Sequence, residues 1–288
     1  MEVPFLKMHG LGNDYVYLDL IGHPELANLG DYGALSRAIS DRHRGVGGDG
    51  IILIARGDRQ HDLSMRIFNA DGSEGEMCGN GIRCLMRYAA ARGYAPRRQR
   101  VRTRAGTIAG EVGEDGLVLV DMGAPRFGRE EIGFLGSGEM RDAPYAFGGA
   151  ELHLTAVSMG NPHVVSFWPA GEDLTARALS LGPLLERAEF APQRTNAEFV
   201  AVLAPDRLRM EVWERGSGRT QACGTGACAS LVAAALTGRS ARAATLELAG
   251  GALSIAWRED GHVTMRGPAT LSFHGSLQWP PREDDTAW

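Results

Sequence analysis

Met77-Cys78-Gly79-Asn80-Gly81 and Ala222-Cys223-Gly224-Thr225-Gly226 are the two stretches whose reading decides how this chain is built. Each sets a cysteine and a Cys-Gly-x-Gly turn at the mouth of an Ala-rich run, and the two cysteines lie 145 positions apart. The same offset carries Met65 onto Met210, Phe68 onto Trp213, Asn69 onto Glu214, Gly93 onto Gly238 and Glu114-Asp115-Gly116 onto Glu259-Asp260-Gly261. Upstream, Gly12-Asn13 and Gly160-Asn161 match at an offset of 148. A register kept this long marks an internal duplication, each half reading Gly-Asn, a strand, Cys-Gly-x-Gly, a helix and a hairpin.

The expected fold is therefore α+β: two structurally similar domains, each a β-sheet wrapped around a central helix, related by a pseudo-twofold axis. The first half is set at 1–122 with Cys78 and the second at 123–275 with Cys223, Gly123-Ala124-Pro125 forming the boundary; the tail 276–288 is expected to pack back on the first half. Each half is then about 140 residues, near the commonest domain size. Two such domains packed face to face would bring their matched features, cysteines included, to one cleft, where ligand sites between domains lie.

Composition narrows the class. A hydrophobic content of 44% with 23% charged residues is that of a globular protein, and a net charge of -5 gives no global attraction to nucleic acid or anionic membrane. Arg98, Arg100 and Arg102 alternate with Gln99, Val101 and Thr103, so the basic run reads as the solvated face of a strand. No aromatic residue interleaves with it to stack bases, and nucleic acid is not an expected partner. The uncharged stretch from Thr220 to Gly238 is broken by Gln221, threonines and glycines and reads as a buried helix, not a membrane span. With no secretory signal in view, a cytoplasmic location is expected, where four cysteines are thiols. Cys84 and Cys228, inside the two helical runs, read as small packed apolar groups.

Local patterns place the motifs. Strands are expected over Tyr15–Leu20, Gly50–Ala55 and Leu63–Phe68, with helices over Tyr32–Arg42 and Asn80–Arg92, the latter ending at Gly93. Val101–Val112 and Leu117–Met122 read as a hairpin. The second half repeats the order, with a strand over Leu208–Trp213, a helix over Gly226–Thr237 and a hairpin of Leu253–Trp257 with Val263–Met265.

At each helix start the glycines leave backbone N–H groups unshielded, and about half a positive charge faces an incoming anion such as a carboxylate. The same field is expected to lower the pKa of the adjacent cysteine from its ordinary value of about 8.5. A thiolate and a thiol on opposite faces of one carbon would remove a proton from one side and deliver one from the other, inverting the centre. The carbon has to be α to a carboxylate, whose developing enolate charge the two helix N-termini stabilise. The arrangement requires neither a metal nor pyridoxal phosphate. Zinc or thiol–disulfide chemistry would ask for Cys-x-x-Cys pairs, which the chain lacks. A Cys/His nucleophile using His163 stays open, but it leaves the repetition of the cysteine motif without a reason. A redox switch made of the paired cysteines is the alternative from outside enzymology.

Across nearly its whole length the chain resembles the diaminopimelate epimerase family. The resemblance is carried by Met8-His9-Gly10-Leu11-Gly12-Asn13-Asp14, Asn69-Ala70-Asp71-Gly72-Ser73-Glu74, Cys78-Gly79-Asn80-Gly81-Ile82-Arg83-Cys84, Gly160-Asn161-Pro162-His163, Arg194-Thr195-Asn196, Glu214-Arg215-Gly216 and Ala222-Cys223-Gly224-Thr225-Gly226-Ala227-Cys228. Proline racemases share the two-cysteine plan with different flanks, and phenazine-pathway isomerases share the fold without both cysteines. The resemblance implies cofactor-independent interconversion of LL- and meso-2,6-diaminopimelate in lysine and peptidoglycan precursor synthesis. Cys78 would take the proton from the LL isomer and Cys223 would donate to the opposite face. Gly79, Asn80, Gly224 and Thr225 would bind the carboxylate at the reacting centre, and Glu214 with His163 would position the ammonium group and the cysteines. Asn13, Asn69, Asn161, Asn196 and Arg215 would hold the rest of the small-molecule substrate, and a homodimer is implied. Three positions depart from the pattern: Gly50 stands where some members have a substrate-contacting glutamine, and Arg219 and Gln221 replace an acidic and an apolar residue before Ala222.

Overall fold

The computed structural model describes residues 1–147 and 149–280. The chain divides into two compact units, one of residues Met1–Val120 together with the segment from Pro268, the other Asp121–Gly267.

The first unit runs β1 (Glu2–Gly10), β2 (Asn13–Asp19), α1 (Tyr32–Ser40), β3 (Gly50–Arg56), β4 (Leu63–Asn69), the two-residue β5 (Glu74–Gly75), α2 (Gly79–Ala91), β6 (Arg98–Thr103), β7 (Gly106–Val112) and β8 (Val118–Asp121). Strand β2 pairs in parallel with β3 and β4 with β6, and the other neighbours are antiparallel. Parallel pairing needs a crossover, and α1 and α2 are those crossovers. Helix α2 buries Ile82, Leu85, Met86 and Ala89. Val3, Val16, Leu18, Ile51 and Leu53, from β1 to β3, form a second cluster with Leu35 and Ile39 of α1.

In the second unit come α3 (Arg129–Ile132), β9 (Ala143–Phe147), β10 (Ala150–Ser158), β11 (Pro162–Trp168), α4 (Leu174–Glu186), β12 (Asn196–Ala204), β13 (Arg207–Glu214), β14 (Gly218–Arg219), α5 (Gly224–Leu236), β15 (Ala243–Leu248), β16 (Gly251–Trp257) and β17 (Val263–Gly267). From β10 onward it repeats the first unit element for element, with β11–β12 and β13–β15 again the parallel pairs. Because α5 is apolar on every side, it is enclosed all round: Ala227, Leu231, Val232, Ala233 and Ala234 are buried.

The last strand, β18 (Thr270–Gln278), pairs with β1, from Glu2 opposite Gln278 to His9 opposite Thr270. Residues 270–275 therefore stand in the first unit, outside the 123–275 half drawn from the sequence. Of the tail, Ser276 to Gln278 run in β18, and residues 281–288 lie outside the described residues. One local expectation is corrected: Val101–Val112 is not one strand, because the chain turns between β6 and β7 and Thr103 pairs with Gly106. In β6, Arg98, Arg100 and Arg102 face solvent while Gln99, Val101 and Thr103 are buried, as alternation requires.

Candidate active site

Four of the helices have a side-chain N-cap, and they divide into two kinds. Helices α1 and α4 are capped by Asp31 and Asp173, each accepting a backbone N–H at 3.0 Å. Helices α2 and α5 are capped by Cys78 and Cys223, whose sulfurs accept from Gly81 N and Gly226 N at 3.4 Å. Carboxylates and hydroxyls are the strong caps, and sulfur is a weak acceptor. Cysteine in both places gives up helix stability at the two positions where the duplication repeats.

The glycine three residues after each cysteine is required by what packs beneath it. A Cβ on Gly81 would sit 2.5 Å from Ile52 Cδ1, and one on Gly226 would sit 2.7 Å from Glu198 Oε1. Strands β3 and β12 thus press a side chain directly under the first turn of each helix.

Around Cys78 the first unit gathers Asn13 and Tyr15, with the Asp49 carboxylate behind them. The thiol donates to Asn13 Oδ1 at 3.3 Å. Asn13 is turned by Asp49, whose Oδ2 accepts from Asn13 Nδ2 at 2.7 Å and from Asp14 N at 3.1 Å. Arg42 bonds both Asp14 and Asp49, and the buried Lys7 pairs with Asp14 at 2.6 Å. Burial lifts the Asp14 carboxyl, but Arg42 and Lys7 outweigh it and leave it below the ordinary value. Tyr15, hydrogen-bonded to Cys78, is pushed well up by burial and then by Cys78 and Asp49, so its phenol keeps its proton. Asn80 is buried and accepts from Arg83 Nη2 at 2.8 Å, while Arg83 also donates to Gly79 O and Pro268 O. Asn69 lies at the end of β4 and turns its amide to Ser73 Oγ at 3.0 Å.

Charged groups surround Cys223. His163 Nδ1 lies 2.6 Å from Glu198 Oε1, both side chains fully buried. Its Nε2 lies 3.0 Å from Asn161 Oδ1, Asn161 Nδ2 donates to Thr225 Oγ1 at 3.2 Å, and that hydroxyl lies 3.5 Å from Cys223 Sγ. Glu214 accepts a hydrogen bond from Thr220 Oγ1 and neighbours both His163 and Cys223. Burial raises its carboxyl above the ordinary value and Glu198 adds to the rise, against the pull of Thr220, His163 and Cys223. Asn196 donates to Pro162 O at 2.8 Å and accepts from Arg215 N at 2.9 Å, so it fixes the Arg215 backbone. The Arg215 side chain is exposed and, among the described residues, has no carboxylate at ion-pair distance.

The expectation that the helix field makes a thiolate accessible is overturned at Cys223. Burial, Glu214 and Glu198 push this thiol well above the ordinary cysteine value, and the hydrogen bonds from Thr225 and Gly226 are too weak to reverse them. Cys84, pushed up to about 11 by burial, stays a packed thiol.

Two of the sequence departures have physical reasons. At Gly50 a Cβ would meet Phe68 O at 2.1 Å and the backbone has φ +150, so no glutamine is accommodated on this backbone. Arg219 makes a bidentate pair with Glu211 at 2.8 and 3.2 Å. The same offset of 145 links Arg66 to Glu211 and Glu74 to Arg219, and Arg66 holds Glu74 at 2.7 and 3.2 Å. The departure is the first unit's ion pair with its charges exchanged. Gln221 donates nothing to the cysteine; its carbonyl accepts from Gly250 N, and its side chain is exposed.

Tyr15, Asp49, Glu198 and Thr220 escaped the sequence reading. The offset of 148 that aligns Asn13 with Asn161 also aligns Tyr15 with His163, and a lone glutamate inside the apolar run 197–203 was a visible signal for Glu198.

The diaminopimelate epimerase family model matches residues 5–128 and 155–272. This chain belongs to the diaminopimelate epimerase family. It is 49% identical over 285 residues to the diaminopimelate epimerase of Synechococcus elongatus, which covers 96% of this chain and 99% of the relative. The diaminopimelate epimerase of Heliobacterium modesticaldum is 46% identical over 281 residues, covering 95% and 99%. Among solved structures, a probable proline racemase from Agrobacterium radiobacter K84 is similar with a TM-score of 0.68 at 15% identity, covering 98% of this chain and 94% of that one. A hydroxyproline epimerase from Agrobacterium vitis is similar at a TM-score of 0.67 and 15% identity, covering 97% and 93%. At such identities the likeness is one of fold alone.

Proposed function

We propose that the chain interconverts LL- and meso-2,6-diaminopimelate without a cofactor, with Cys78 and Cys223 as the two acid–base groups. Membership of the family names the substrate class. The observation that carries the mechanism is the pair of cysteine N-caps in duplicated surroundings, one beside Asn13 and Tyr15 and one beside Glu214 and Glu198.

In this reading Cys78, as thiolate, takes the α-proton of the LL isomer. Cys223, held as thiol by burial and by Glu214, delivers a proton to the opposite face, and the roles reverse for the meso isomer. Backbone N–H groups of Gly79, Asn80, Gly224 and Thr225 receive the reacting carboxylate and its enolate charge. Glu214, with His163 behind it, receives the ammonium group, and neutralising both substrate charges makes the α-proton accessible. Asn13, Asn69, Asn161 and Asn196 hold polar groups of the substrate directly or through the loops they fix. The exposed Arg215 guanidinium suits the distal carboxylate through bidentate bonds.

A homodimer is part of the reading: β18 leaves Leu271 and Phe273 about half exposed, at 49% and 48%. So is a reducing, cytoplasmic setting, which keeps both site cysteines as thiols. Among the described residues no helix is long and apolar enough to cross a membrane.

The decisive test incubates reduced, cofactor-free protein with LL-diaminopimelate in deuterated water. Meso product carrying deuterium at the α-carbon is expected. Folded protein with reduced thiols that gives neither product nor exchange overturns the reading.

A further inference from the structure

Beneath the start of α5 stands a glutamate, Glu198, where the start of α2 has an apolar side chain. Its position, pressed under Gly226, is taken in the first unit by Ile52, pressed in the same way under Gly81. The pairings correspond as well: Glu198 stands opposite Val165 and Ile52 opposite Tyr17 in the two parallel strand pairs. An isoleucine fills the place without a polar atom.

The carboxylate is a costly replacement. Glu198 is fully buried; Oε1 lies 2.6 Å from His163 Nδ1, and Oε2 has no hydrogen-bond partner among the described residues. A buried carboxylate oxygen left unsatisfied costs stability that an apolar side chain of the same shape does not. A chemical role is the remaining reason for it, and its surroundings say which. A Cβ on Gly226 would lie 2.7 Å from Glu198 Oε1 and 3.2 Å from Cys223 Sγ, so carboxylate and thiol flank the same point. The titratable groups facing Cys223 are Glu198 from β12, Glu214 from β13 and His163 from β11. His163 is tied to Glu198 on one nitrogen and to Asn161 on the other.

We propose that Glu198 is a positioning residue that assigns the resting proton to Cys223: its buried carboxylate, in the place of Ile52, makes the second half-site the acid and leaves the first to supply the base. The proposal rests on the epimerase reading for its part in turnover, but its test does not use turnover.

The test is an ultraviolet thiolate titration of Cys78→Ser protein, with Cys78→Ser/Cys223→Ser protein as the baseline that removes Cys84 and Cys228. Glu198→Gln is expected to lower the Cys223 midpoint by about one pH unit, since a like charge beside the thiolate is gone. Glu198→Asp, which keeps the charge, is expected to leave the midpoint high, and it serves as the second variant if the glutamine protein does not fold. A midpoint unchanged or raised in Glu198→Gln overturns the proposal, as does a fall of the same size in Glu198→Asp. In protein with both cysteines, Glu198→Gln is expected to bring the alkaline limb of the kcat/KM profile down by the same interval. Loss of stability alone would not move that limb. Absence of turnover in the unsubstituted protein would count against the epimerase reading and leave the titration result standing.

Discussion

The starts of α2 and α5 have the same backbone, the same cysteine cap and the same glycine three residues on, yet opposite chemistry underneath. Below Cys78 lie Asn13, Tyr15 and Ile52; below Cys223 lie Asn161, His163, Glu198 and, beside it, Glu214. The repeat sets two like helix ends, and at the second of them burial, Glu214 and Glu198 raise the thiol. A reaction that takes a proton with one group and gives one with another needs that inequality in each turnover, because two thiols or two thiolates would be idle.

Removing either sulfur breaks the comparison outright. Cys78→Ala and Cys223→Ala are each expected to lower kcat/KM for epimerisation by about 10²–10⁴-fold, the range of a positioned acid or base. Their thermal midpoints should move little, since the 3.4 Å sulfur cap contributes little to either helix. Full activity in either variant ends the two-base mechanism.

Glu214→Gln tests what sets the inequality. Glu214 stands after burial as the largest cause of the raised Cys223 thiol, so removing its charge should lower that thiol toward its ordinary value. The alkaline limb of kcat/KM reports the loss of the Cys223 proton and should move to lower pH, with kcat reduced about ten- to a hundredfold as ammonium binding is lost. A limb that stays in place would assign the raised thiol to burial and Glu198.

On the first side, Asp49→Asn should release Asn13, whose amide orientation Asp49 fixes at 2.7 Å. About a tenfold loss in kcat/KM is expected, smaller than at Glu214 because orientation is loosened while charge at the reacting centre is unchanged. An equal loss in Asp14→Asn would show that the whole Lys7–Asp14–Arg42–Asp49 network matters, and an unaffected Asp49→Asn would leave Asn13 held by Cys78 and Tyr15.

Much of this was legible in the sequence, for a physical reason. A duplicated fold keeps its turn glycines and its strand and helix spacing in register, so an offset of 145 exposed the repeat and set both cysteines at helix starts before any geometry was known. Pairing across strands is not written in an offset: Glu198 reaches His163 from 35 positions away, because β11 and β12 run in parallel with His163 opposite Asn196. The thiol of Cys223 was misjudged for the same reason, since the helix field is visible in a motif while burial and two carboxylates from other strands are not. The boundary near 275 missed β18 because that strand pairs with β1, at the start of the chain.

The smallest expected effect concerns the exchanged ion pairs. Arg66–Glu74 and Glu211–Arg219 hold β4 to β5 and β13 to β14 just ahead of the two cysteines, at 2.7 and 3.2 Å in the first and 2.8 and 3.2 Å in the second, with opposite polarity. If the pairs only fasten the turn, polarity is immaterial. Then Glu211→Arg or Arg219→Glu alone, which set like charges together, should each cost about 1 kcal/mol or less in denaturant unfolding, and the double exchange should restore the original stability. Epimerase activity should follow the same pattern, falling slightly in the single variants and returning in the double one. Should the double exchange recover stability but not activity, the sign of the charge ahead of Cys223 belongs with Glu198 and Glu214 among the groups that make the second half-site different from the first.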